Sequence, residues 1–77
     1  MNAKDRLYDA INKFADGDDD VYACLKKDVY ILTHTDQEWK LRSTIAMILF
    51  FTNHDKNISD AINYYLQSKS TDSIIPV

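Results

Sequence analysis

Apolar residues return at three- and four-residue intervals along most of this chain, the spacing that lines one side of an α-helix. Leu7, Ile11 and Phe14 mark such a stripe and predict a first helix over Ala3–Ala15. Asn2 is placed to cap it, and Asp5 puts a carboxylate in the first turn, where the helix dipole favours negative charge. Asp9 and Lys13 are spaced for an i, i+4 ion pair. Gly17 suits the left-handed residue that ends a helix. Asp18, Asp19 and Asp20 then supply cap and first-turn acids for a second helix, whose buried stripe is Tyr22, Leu25, Val29 and Leu32.

The stretch from Asp28 to Thr35 is rich in β-branched and aromatic residues and also suits a strand. No other segment offers a strand partner, so helix is the better reading. An α+β fold remains the alternative if residues 28–35 are extended. Thr35-Asp36-Gln37-Glu38 matches a capping box, with Thr35 as cap and Glu38 reaching back. It predicts a third helix from Asp36 to about Asn53. The first half of that helix is amphipathic, with Trp39 apolar and Lys40 and Arg42 polar. The second half is Ile45-Ala-Met-Ile-Leu-Phe-Phe51, apolar without interruption. A helix apolar on every side has to be covered. The third helix is therefore expected to be the enclosed spine of the fold, with any leftover apolar surface available to a partner.

A polar turn over 53–57 follows. Asn57, with Asp60 three residues on, is expected to start a fourth helix at about Ile58, carrying Ile58, Ala61, Ile62, Tyr65 and Leu66 inward and fading near Ser68. The fold class is all-α, a compact four-helix bundle. Residues 1–69 form one helical domain and residues 70–77 a flexible tail. Composition agrees. One glycine and one proline in 77 residues are too few for many tight-turned strands, and 45% hydrophobic residues suffice for a core.

The net charge is −3 and the pI about 5.1. An acidic chain is a poor partner for phosphate backbones and a better one for a basic protein surface. The single cysteine, Cys24, cannot form a disulfide within these residues. Its apolar neighbours suggest a buried, inert thiol. The N-terminal residues lead into an amphipathic helix and not into the apolar centre of a signal peptide. No apolar run approaches the ~20 residues that cross a bilayer. These features point to a cytoplasmic protein that does not engage a membrane.

Asp16-Gly17-Asp18-Asp19-Asp20 resembles a calcium loop only superficially. With Asp16 at position 1, glycine falls at position 2 and Lys27 takes the place of the closing glutamate at position 12. The acids are better explained as helix caps, with a further capacity to face lysines and arginines of a partner. His34 and His54 lack a second ligand one turn away. His34 is placed to satisfy carbonyls at the end of the second helix. No catalytic set, metal site or cofactor is expected.

Five tyrosines are many for this length. Tyr64 and Tyr65 diverge by about 100° on a helix and cannot easily both be buried, and Tyr8 lies off the centre of its stripe. Tyrosine is favoured at protein interfaces. Together these readings describe a small acidic, non-enzymatic binding module, an inhibitor or adaptor that docks on a basic protein through Asp16, Asp18, Asp19, Asp20, Tyr8 and Tyr64. By size and charge alone it is comparable to toxin-neutralising immunity proteins and phage-encoded enzyme inhibitors. Two alternatives stand beside it. A helix-turn-helix regulator would read DNA through Gln37, Lys40, Arg42 and Ser43, against the negative charge. A homo-oligomeric structural protein, such as a homodimer, would use its surplus apolar surface on itself.

Overall fold

The computed structural model describes the backbone of residues 1–73 and the side chains of residues 1–69. The described residues form four helices and no strand: α1 (Ala3–Ala15), α2 (Asp19–His34), α3 (Glu38–Phe51) and α4 (Lys56–Ser73). The fold is an all-α four-helix bundle, and residues 28–34 are helical throughout. Connections of three or four residues make consecutive helices antiparallel neighbours. α1 packs on α2 and α4, α2 packs on α3, and α3 meets α4 more sparsely. α1 and α3 stand diagonally across the core, as do α2 and α4, without close backbone approach.

The caps show why these segments start and stop where they do. The Asn2 side chain accepts a hydrogen bond from the Asp5 amide at 2.8 Å. Asp18 Oδ1 accepts from the amides of Asp20 and Val21 at 3.1 and 3.2 Å. Each satisfies donors that the first turn of a helix leaves open. Asp16 takes the left-handed position at the end of α1 (φ 48°), and Gly17 follows with φ 88°. His34 closes α2 as expected, with Nδ1 2.8 Å from the Tyr30 carbonyl and its ring stacked on Tyr30 at 3.9 Å.

The capping box does not form. α3 begins two residues late, at Glu38, behind Gln37, whose side chain makes no capping bond. Thr35 sits in extended conformation at the end of α2, and its Oγ1 accepts from the Gln37 amide at 3.2 Å. Glu38 turns forward to Arg42 at 3.1 Å instead of back to Thr35. The three-residue connection is too short for Thr35 to terminate one helix and cap the next. At the α3–α4 turn the cap is Asp55, not Asn57. Its Oδ2 accepts from the Ile58 amide at 3.0 Å, and α4 starts at Lys56. α4 continues to Ser73, past the expected end near Ser68. The rest of the expected tail, 74–77, lies outside the described residues.

The core is Leu7, Ala10 and Ile11 from α1, Leu25, Val29 and Leu32 from α2, Ile48 from α3, and Ile58, Ala61 and Ile62 from α4. Ala10 takes the inward place next to Leu7 and Ile11, while Phe14 lies at the edge, partly in solvent. Tyr65 and Leu66 pack against this core, and burial pushes the Tyr65 hydroxyl above its ordinary value. The largest departure from expectation is α3. It is not an enclosed spine: it lies on one flank, with one side on the core and the other in water. The described residues supply only three other helices, and one of them stands diagonally opposite. Nothing in the described residues remains to cover its outer side.

Candidate functional site: the outer face of α3

Helix geometry sorts α3 into two faces. At about 100° per residue, Leu41, Thr44, Ile45, Ile48 and Thr52 fall on one side. Ile48 is fully buried, Thr44 and Thr52 are buried, and Leu41 and Ile45 are half-buried. The two threonines donate their hydroxyls to the carbonyls of Lys40 and Ile48, each at 2.8 Å, so the inner face carries no unsatisfied hydroxyl. On the opposite side Trp39, Ser43, Ala46 and Phe50 lie within about 60° of one another, with Met47 and Phe51 flanking them toward α2. Trp39 is 67% exposed, Met47 56%, Phe50 74% and Phe51 53%. Single exposed apolar side chains are ordinary, but four this large on one side of one helix are not.

Between this face and α2 runs an open groove of about 630 Å³, lined by Cys24, Asp28, Ala46, Met47, Phe50 and Phe51. Cys24 is exposed in it, contrary to the expectation of a buried thiol. Its angular position on α2 explains this. Leu25, Val29 and Leu32 hold the inward arc, and Cys24 falls on the edge with Asp20 and Asp28, one turn to either side. Partial burial pushes the Asp28 carboxyl above the ordinary 3.8, and the neighbouring Lys27 charge opposes that shift. The groove therefore has an apolar floor and one carboxylate, Asp28, at its edge.

The six residues singled out from sequence do not make one patch. Asp16 and Asp18 are exposed but engaged in ending α1 and starting α2, and Asp19 and Asp20 are exposed in the first turn of α2. Tyr8 is half-buried against the core. Tyr64 is partly exposed, with the Arg6 guanidinium 5.0 Å from its ring centre. Arg6 lies ten residues before Asp16 on α1, about 15 Å along the axis, so Tyr64 is remote from the acids. Of the six, Asp20 stands nearest the groove. Among the described residues no three His, Cys, Asp or Glu side chains are grouped to hold a metal ion, and no helix is long and apolar enough to cross a membrane.

Continuous apolarity along Ile45–Phe51 points to enclosure and does not by itself locate an exposed face. The angular pattern does locate it: Thr44 and the capping Thr52 project with Ile48, and the largest rings project away from them.

A scan of protein-family models finds no match to this sequence, and searches of curated proteins and of solved structures find none either.

Proposed function

We propose that this chain is a small, non-enzymatic protein-binding module, of the inhibitor or adaptor kind, acting in the cytoplasm. Its working surface is the outer face of α3 with the groove beside it. The observation that carries this reading is the exposure of Trp39, Met47, Phe50 and Phe51 together on one helix of an otherwise well-packed bundle. Tryptophan and other aromatic side chains are the residues that dominate interface energetics. The Asp28 carboxylate at the edge of the groove favours a partner that brings apolar side chains flanked by lysine or arginine. Lone-cysteine composition agrees with a reducing compartment.

DNA binding has less support. Arg42 is already engaged by Glu38, and the face around Ser43 and Lys40 is dominated by rings and a thioether that offer phosphates nothing.

A photo-crosslinking amino acid placed at position 50 tests the reading in living cells. Covalent adducts to protein are expected from position 50 and not from position 12, an exposed site on α1. Equal labelling from both positions, or none from position 50, overturns it.

A further inference from the structure

Resting on that reading, we infer that the partner of the α3 face is a second copy of this chain, bound with the two α3 helices antiparallel about a two-fold axis. Three features of the face support this occupant.

The first is its spacing. Trp39, Ser43, Ala46 and Phe50 are separated by four, three and four residues, the seam of a two-stranded coiled coil. The order of sizes is large, small, small, large. When such a seam meets its own copy antiparallel, position 39 lies level with 50 of the partner and 43 with 46. Each tryptophan then packs on a phenylalanine at the two ends. The serine and alanine at the centre let the helix axes approach to about 8 Å, the close end of the usual range. A parallel arrangement would instead set Trp39 against Trp39.

The second is charge. A two-fold axis across the seam keeps the α2-facing edges of both copies on the same side. Lys40 lies on that edge. In the antiparallel register it comes level with position 49 of the other copy, at the groove that Cys24, Asp28, Met47 and Phe51 line. The half-buried carboxylate in each groove thus gains the other copy's ammonium. Within one chain Lys40 lines a different hollow, with Tyr30, Ile31 and His34, and does not line the groove. Antiparallel pairing also sets the N-terminal end of each α3 dipole against the C-terminal end of the other.

The third is area. Rings and thioether exposed to this degree offer roughly 500 Å² per copy, or about 1,000 Å² for the pair, which is the lower bound for a specific interface. The expected complex is a modest, concentration-dependent dimer.

Sedimentation of the full chain from micromolar to millimolar concentration tests this, with the variants Phe50→Asp, Asp28→Lys, Lys40→Asp and the double reversal. The wild type should be a dimer at the top of that range, and Phe50→Asp a monomer of unchanged helicity. Each single reversal should weaken association by about fivefold or more, and the double reversal should restore it. A wild type that stays monomeric at millimolar concentration overturns the inference, and so does a dimer indifferent to Phe50→Asp. A double reversal no better than the singles overturns the antiparallel register. The two readings fail separately. A monomer whose position 50 still crosslinks to a different protein sinks only the self-pairing, and a monomer that crosslinks to nothing sinks both.

Discussion

α1 and α3 are nearly equal in length, 13 and 14 residues, yet they divide their side chains in opposite ways. α1 puts Leu7, Ala10 and Ile11 on the core and polar groups elsewhere, and two neighbouring helices cover its apolar side. α3 puts one fully buried isoleucine and half-buried aliphatics inward, together with a threonine, and turns tryptophan, methionine and two phenylalanines outward. The bulkiest apolar groups of the third helix lie outside the fold they would ordinarily stabilise. Burial in this small bundle is set by which directions have a neighbour, not by which side chains are most apolar. What α3 carries beyond that need is available for association.

Two substitutions two residues apart, on opposite sides of α3, would break or confirm this contrast. Ile48→Ala removes a fully buried side chain and should cost about 3 kcal/mol of unfolding free energy, the usual scale for a cavity in a core. Phe50→Ala removes a larger group from the exposed side. It should change the stability of the monomer by no more than about 0.5 kcal/mol. Urea unfolding at low micromolar concentration reads both. Comparable losses would mean that the outer face is covered within the monomer, and the two-faced description of α3 would be wrong.

The two ends of α3 also differ from their counterparts in α1 and α2. Asn53 and His54, in the turn after α3, both hold a left-handed conformation, with φ 54° each. The His54 amide closes that turn on the Leu49 carbonyl at 2.7 Å. Asparagine tolerates this region, but histidine bears a steric penalty there that glycine does not. His54→Gly should therefore stabilise the fold by about 1 kcal/mol, measured as a rise in thermal midpoint. A fall would show that the imidazole makes a contact worth more than the strain. At the other end, Gln37 offers no capping bond, whereas Asp18 caps α2 with two. Gln37→Asp should add about 0.5 to 1 kcal/mol, and Asp18→Ala should cost about 1 kcal/mol. If Gln37→Asp is neutral, the first turn of α3 is already satisfied by water.

How much of this was legible in the sequence follows from what local pattern can encode. The bounds of α1, its Asn2 cap and its Asp9–Lys13 pair, observed at 3.1 Å, are local events, and the residues that cause them are adjacent in sequence. The stripe of α4 was readable for the same reason: Ile58, Ala61 and Ile62 repeat on one side with polar groups between them. The failures at Thr35, Cys24 and the Ile45–Phe51 run share a different cause. Thr35 fits a capping box in sequence, but it is already committed to the end of α2. Cys24 has apolar neighbours in sequence, yet its direction from the helix axis places it on a rim. The apolar run says that α3 needs cover on all sides and says nothing of whether the chain can supply it. Each outcome depends on where a second helix stands, which no window of sequence contains. The candidate site was therefore less legible than the fold. The capping duty of Asp18 is legible in sequence and is what the structure shows.

The smallest effect concerns the groove that separates the buried and exposed sides of α3. Asp28 sits at its edge with its carboxyl pushed above 3.8 by burial. A folded-state value above the unfolded one means that the folded chain holds the proton more tightly. Ionisation then works against folding, and the full cost is present only above the raised value. Below about pH 3.8 the group is protonated in both states and contributes nothing. Asp28→Asn keeps the shape and removes the ionisation, so it should stabilise the monomer slightly at pH 7. That gain should shrink as pH falls through the raised value and vanish near pH 3, as read by the difference in urea midpoint between the two chains. In a self-paired dimer the sign should reverse at neutral pH. There the carboxylate has the other copy's Lys40 beside it, and Asp28→Asn removes an attraction rather than a penalty. The same substitution measured at low micromolar and at millimolar concentration thus compares the groove open with the groove filled. An effect of one sign at both concentrations would show that nothing basic enters it.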